Sequence, residues 1–390
     1  MPPDGTGARP SGASWLAAPF RPFYALAVAY AIALMALFGL DFVHAAPLVL
    51  PAPWHGHEMI FGFAFALIAG TALTALPSWA GIDETHGAPL ALLVLAWVIG
   101  RVACVFASTL PWSLVAACDV ALPLLLIAHL APSLLRLAQR RWRAPLAVFA
   151  LLGLANFAWH AMLAAGDPAG AARALRAAVW LVVVMYALAG GLFTPVFTGN
   201  LLVERARGAP PVPSLALEVA ALLALVALAL ADVTGLREAI APLALVALAL
   251  QAWRVARWRG WRAADDALVA AMHLGFVWLL VALALKAAAH LGAPWSEGLW
   301  VHAFTVGALG SMLLGLMTRV VLRHTGRPLV APASLPWLLG LVNAAAVLRL
   351  AAPALGGWAW PAASLLWVLS FAVWLVPHAR IMGGPSLPRR

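Results

Sequence analysis

"WHGHEMIFGFAFALIAGTALTALPSW", residues 54–79, decides the fold. After Glu58 no charged residue occurs until Asp83. A helix of that length crosses a hydrocarbon core about 30 Å thick at about 1.5 Å per residue. The apolar residues are continuous rather than alternating, which excludes a barrel strand. The mouth of the stretch nevertheless carries His55, His57 and Glu58, three groups that bind protons or metals, at the edge of a membrane span.

The same texture fills the chain. Of 390 residues 65% are hydrophobic and 10% charged, with a mean hydropathy of +0.96, which excludes a water-soluble globular protein. Apolar runs predict twelve spans at about 23–43, 57–80, 88–107, 111–135, 144–165, 173–194, 214–232, 237–254, 264–291, 298–322, 333–351 and 358–378. The expected fold is all-α: a polytopic integral membrane protein with one bundle of about twelve helices. Residues 1–22 and 379–390 read as cytoplasmic tails around a transmembrane domain, 23–378. The polar connections near 195–213 and 323–332 are too short for a soluble domain. The polar, Pro/Gly-rich start offers no signal peptide.

A net charge of +10 suggests nucleic acid until the basic residues are placed. With the N-terminus in the cytoplasm, eighteen arginines fall on that side and only Arg173, Arg176 and Arg237 on the other. That asymmetry is the positive-inside signature, so basicity here means topology and contact with lipid rather than a nucleic-acid partner. Arg101, Lys286 and Arg349 are left inside spans. Cys104 and Cys118 also fall within spans and read as small buried hydrophobes.

An internal echo links two segments. His57 is followed by Gly62 and Gly70, and His302 by Gly307 and Gly315 at the same intervals, with Trp54 and Trp300 just upstream. A weaker copy, "AGGLFTP" (189–195), lacks the histidine. Spans two, six and ten would suit a threefold repeat of four helices; the alternative is that small residues simply favour close helix contact.

Ionisable groups within spans are costly, so each is a candidate for function. His55, His57, His290 and His302 lie at one level near the extracytoplasmic surface, with His44 and His160 close to it. Neutral imidazole is a common metal and haem ligand, and several converge there from different helices. Two residues apart on a helix, His55 and His57 point in different directions, one into the bundle and one along its rim. Water-satisfied interfacial histidines are the alternative. Arg101, Lys286 and Arg349 sit at the same level, where haem carboxylates would need partners; equally, Arg101 pairs with Asp119 and Lys286 snorkels. Glu58 is the candidate for orienting an imidazole or handling protons. On the cytoplasmic side, "MTRVVLRHTGRP" (317–328) gathers Arg319, Arg323, His324 and Arg327, either an anion or propionate site or an ordinary basic loop. His273, inside span nine, is a ligand or is bonded to a hydroxyl or backbone partner. His86, His129 and His378 read as structural.

Covalent-haem, P-loop, zinc-protease and serine-hydrolase motifs are absent from the sequence. "FRPFY" (20–24), the 54–79 stretch, "HLGFVWL" (273–279), "HAFTVGALGSMLLGLMTRVVLRHTGRPL" (302–329) and the Gly-Gly and Phe-Thr-Gly-Asn groups near span six resemble the NnrS family over nearly the whole chain. The resemblance implies a bacterial inner-membrane protein of about twelve spans that carries haem b and copper and is linked to nitric oxide metabolism and tolerance of nitrosative stress. It carries the family's motif histidines onto His55, His57, His273, His302 and His324. Val320-Val321 departs from the small or polar residues common there.

Two readings follow. In the first, His302 and one of His55 and His57 bind haem iron and the remaining imidazoles, His290 among the candidates, bind copper or a second haem. The site binds or responds to nitric oxide. Reduction of nitric oxide would also require an electron donor that the sequence does not identify, and Glu58 for protons. In the second, intramembrane His and Arg residues transport a small anion or a metal complex, as discontinuous helices at mid-membrane would favour.

Overall fold

The protein is described by a computed structural model covering residues 15–42 and 52–388. Every regular element among the described residues is a helix. Twelve are long and apolar enough to cross a membrane: α1 (Phe20–Asp41), α2 (Trp54–Ala80), α3 (Gly87–Val105), α4 (Trp112–Leu134), α5 (Arg140–Ala164), α6 (Pro168–Glu204), α7 (Leu215–Thr234), α8 (Arg237–Arg262), α9 (Ala267–His290), α10 (Leu299–His324), α11 (Leu335–Leu355) and α12 (Ala359–Gly383). The all-α, twelve-span architecture is the one expected from hydropathy.

From α3 onward each span packs on its successor, and α12 returns to pack on α1. Inside this circuit α2 is the most enclosed, 72% of its apolar window being buried, followed by α10 at 61% and α6 and α9 at 56%; the others lie between 33% and 44%. Spans two, six and ten thus take the inner positions that a threefold repeat asks of them, although α9 shares that burial.

The histidine echo has a structural counterpart. Immediately after His57 the backbone of α2 becomes π-helical over Glu58–Ala64, and immediately after His302 that of α10 does so over Ala303–Leu309. Each wider turn leaves a carbonyl for an outside donor: Trp97 Nε1 donates to the Gly62 carbonyl at 2.9 Å, and the Tyr186 hydroxyl to that of Ala308 at 3.4 Å. The echoed glycines explain themselves by contact. A Cβ on Gly62 would strike Tyr30, Glu58 and Arg101, and one on Gly307 would lie inside the Trp278 ring.

Two spans differ from the sequence expectation. The expected end of span six at 194 is overrun: α6 continues through Pro195 to Glu204. Proline removes the backbone donor that would serve the Gly191 carbonyl; around it the Thr194 hydroxyl bonds the Gly190 carbonyl at 2.7 Å and Arg254 donates to the Ala187 carbonyl at 2.9 Å. Span four bends at Val120, between helical segments ending at Asp119 and starting at Ala121. Pro123 has no N–H to give the Asp119 carbonyl one turn back, which places the bend.

Two arginines assigned to the cytoplasmic side are buried clamps. Arg21, 2% exposed, bonds the Met382 and Gly384 carbonyls and the Ser386 hydroxyl, tying α1 to the chain after α12. Arg254, 5% exposed, pairs with Glu218 of α7 and lies against Gly191 of α6, whose missing side chain makes room for the guanidinium.

Candidate metal centre

We call the end where α2 and α10 begin outer, following the arginine asymmetry. There His55 and His57 diverge, as an i, i+2 pair on a helix must, about 200° apart around its axis. His57 turns into the bundle and is wholly buried, while His55 lies flat against Phe38 with ring centroids 4.2 Å apart.

On the His57 side five helices, α1 to α5, contribute to one polar knot. His57 Nδ1 bonds Glu58 Oε1 at 2.9 Å, and Nε2 lies 2.8 Å from Asn156 Oδ1 and 3.1 Å from Asp119 Oδ2. His160 Nε2 reaches the same Asp119 oxygen at 2.8 Å. Arg101 bridges Glu58 and Asp119 through its two terminal nitrogens, and the Tyr30 hydroxyl donates to Glu58. The Trp159 ring stacks on His57 at 3.9 Å and closes the site. The Arg101–Asp119 pairing foreseen from matching depth is present, and Arg101 also holds Glu58. Asn156 and Tyr30 carried no sequence signal beyond lying within spans.

On the His55 side, His302 and Arg349 converge. His302 Nδ1 donates to the Gly298 carbonyl at 3.2 Å, and Arg349 donates from Nη2 to His302 Nε2 at 3.0 Å. Because a guanidinium has only donors, Nε2 is the unprotonated nitrogen. Arg349 lies over the Trp360 ring at 4.0 Å and is within electrostatic reach of both His302 and His55. Among the described residues, His55 Nδ1 and Arg349 Nη1 are buried without hydrogen-bond partners.

Lys286 does not snorkel. Its side chain is buried and its ammonium bonds Asp232 at 2.6 Å and also Glu297, over the face of Trp300. Trp180 stacks on Trp300 and donates to Asp232 at 2.7 Å. His290 Nε2 lies 3.4 Å from Glu297. Burial raises the Glu297 carboxyl, but the Lys286 hydrogen bond and charge, with the charge of Arg176, outweigh it and hold the group below its ordinary value.

The inner-end residues do not join these clusters. Twenty-two positions of helix separate His302 from His324, about 33 Å. Arg319 packs on the Phe197 ring at 3.8 Å, Arg327 donates to the Thr325 carbonyl at 3.4 Å, and the His324 ring lies 5.9 Å from Phe20. His273 donates from Nε2 to the Thr198 hydroxyl at 2.8 Å, since that hydroxyl gives its own hydrogen to Thr194. The Phe-Thr-Gly-Asn motif thus lies on α6 and positions His273. His129 bonds Thr85, and His378 bonds the Trp374 carbonyl. His44 lies outside the described residues.

The donor sets differ in kind. His302 with a fixed lone pair, His55 with an unpartnered nitrogen and Arg349 with a spare N–H suit an imidazole-ligated haem with a propionate to neutralise. His57, Asp119 and His160 offer ligand atoms all within 4.8 Å of one another, the spacing of a small ion. His57, Glu58 and Cys104 form an overlapping group, and Asp232, His290 and Glu297 a third, the last already bridged by Lys286.

The searches of curated proteins and of solved structures return no match. The family model described as "NnrS: NnrS protein" matches residues 14–386, and the chain therefore belongs to the NnrS family.

Proposed function

We propose that this chain is a haem- and copper-containing protein of the bacterial cytoplasmic membrane, with both termini inside, that binds or responds to nitric oxide and contributes to nitrosative-stress tolerance or to denitrification-linked nitric oxide metabolism. Membership of the NnrS family supports the class. The single observation that carries the haem reading is the convergence of His302, His55 and Arg349, with His55 Nδ1 and Arg349 Nη1 buried and unpartnered and Arg349 on His302 Nε2.

The division of labour follows from the side chains. The Gly298 carbonyl fixes the tautomer of His302 so that Nε2 is the ligating atom. His55, with its unpartnered Nδ1, would line the same place, and Arg349, with a spare N–H at Nη1, would be the cation to neutralise a propionate. A haem held there by His302 would supply an iron able to bind nitric oxide. Trp360 and Phe38 give that region an apolar wall against water. Glu58 is reached by three donors, from His57, Arg101 and Tyr30, so its work is to hold His57 in orientation.

The test is haem per chain in purified wild-type protein and in His302→Ala. Loss of haem with the protein still folded is expected; unchanged cofactor content would leave transport of a small anion or metal complex as the working idea.

A further inference from the structure

The connection from α4 to α5 carries Arg136, Arg140, Arg141 and Arg143, and no Asp or Glu occurs between Asp119 and Asp167. Both of those acids lie toward the outer end, where α4 starts and α5 has finished. Elsewhere at the inner end arginines find carboxylates: Arg205 and Arg207 pair with Asp265, and Arg254 with Glu218. Among the described residues none of the four on this connection is in an ion pair, and Arg143 Nη2 donates to the neutral Leu135 carbonyl at 3.2 Å.

The turn that carries this charge is fixed. α5 opens as a 3-10 turn over Arg140–Arg143, so Arg140 and Arg143 stand one above the other, with Arg141 and Trp142 a third of a turn to either side. Trp142 and Leu137 pack against the core, and the Trp142 N–H donates to the Gln139 carbonyl at 3.2 Å. The arginines on the other sides are exposed, and Arg141 lies over the Trp142 ring at 4.9 Å. Gln139, Arg140 and Arg141 line an open cleft of about 320 Å³. The first α-helical turn that follows has no acid and no side-chain cap, so its free N–H groups add to the positive potential there.

We propose that this cleft seats the headgroup phosphate of an anionic phospholipid, with Arg140 and Arg141 as its ligands. Guanidinium groups present paired N–H donors that match phosphate oxygens. Position selects a lipid over free phosphate. The cleft opens where two spans end, Leu135 just past α4 is exposed, and Leu151 and Leu154 continue an exposed apolar side along α5, the course of an acyl chain. Trp142 sits at the level that interfacial aromatics take. The headgroup is one of net negative charge because unpaired arginines at an anionic surface each contribute about fivefold in binding. The proposal needs neither haem nor copper. Arg143 and His160 are seventeen positions apart on α5, about 25 Å, so the cleft and the His57 knot are separate.

The experiment uses full-length protein in a neutral detergent, titrated separately with dioctanoyl phosphatidylglycerol, dioctanoyl phosphatidylcholine and inorganic phosphate. Native mass spectrometry reads ligand bound per chain, and thermal melts of the same samples show that each variant is folded. Wild type should hold phosphatidylglycerol and melt higher with it, and phosphatidylcholine and phosphate should do neither. Arg140→Gln and Arg141→Gln should each weaken phosphatidylglycerol by about fivefold, and the double variant by about twenty-fivefold. Arg257→Gln, an exposed arginine on another inner segment, should bind as wild type does. The proposal is overturned if the folded double variant binds as wild type does, if phosphatidylcholine binds equally, or if Arg257→Gln weakens binding as much, since the attraction would then be diffuse. Inorganic phosphate that binds and displaces phosphatidylglycerol would make this a free-anion site and overturn the lipid assignment.

Discussion

Arg101 sits between Glu58 and Asp119 with its side chain 6% exposed, and neither carboxylate has another cation of fixed charge. Replacing it by Gln leaves buried charge uncompensated, which typically costs about 3–5 kcal/mol. Arg101→Gln should therefore lower the unfolding temperature in detergent well below wild type, and an unchanged transition would mean that the pairing is not structural. Glu297 shows the opposite, half-exposed case. Its carboxyl is held below the ordinary value, so its contribution is complete above the unfolded glutamate pKa and is lost as pH falls through the depressed folded one. A thermal-stability profile between about pH 3 and 6 should be flatter in Glu297→Gln than in wild type. At this scale the sequence was informative where chemistry is local. The divergence of His55 and His57 follows from two steps along a helix. The partners of His57 do not, because Asn156 and Asp119 arrive from other helices and hydropathy carries no tertiary contacts.

At the scale of the element, the echoed glycines test the close packing behind the π-helical turns. Gly307→Ala places a methyl in the Trp278 ring, which is itself held by Asn343. Overpacking of this sort costs about 1–3 kcal/mol, so a lowered melting temperature is expected; wild-type stability would show that Trp278 moves freely. Thr198→Val removes the acceptor of His273 Nε2–H at a wholly buried position. A loss of about 1–3 kcal/mol is expected, read by the same melts. Hydropathy located every span because a run of about twenty apolar residues is a strong signal. It misjudged the end of α6 because Pro195 and the Phe-Thr-Gly-Asn group read as a loop, whereas the contacts that accompany the continued helix, Arg254 on the Ala187 carbonyl and His273 on Thr198, come from other helices. The regular spacing from histidine to glycine was visible as an echo, whereas the π-helical turn that it marks was not, since a widened turn leaves no periodicity of its own.

For the whole molecule, the two most enclosed spans of the circuit, α2 and α10, are the ones that carry His57 and His302. The proposed orientation, with both termini inside, rests on the arginine asymmetry; a fluorescent protein fused to the C-terminus should mature and fluoresce in the cytoplasm, whereas a periplasmic alkaline phosphatase signal there would reverse outer and inner. The proposed function puts a nitric-oxide-binding haem at the outer end of this bundle, held by His302. Its most direct test is the optical spectrum of the purified protein, oxidised, dithionite-reduced and then exposed to nitric oxide. A Soret band that shifts on nitric oxide addition and is missing from His302→Ala is the result expected. A chain without haem after haem-replete expression, or a Soret band untouched by nitric oxide, would contradict it.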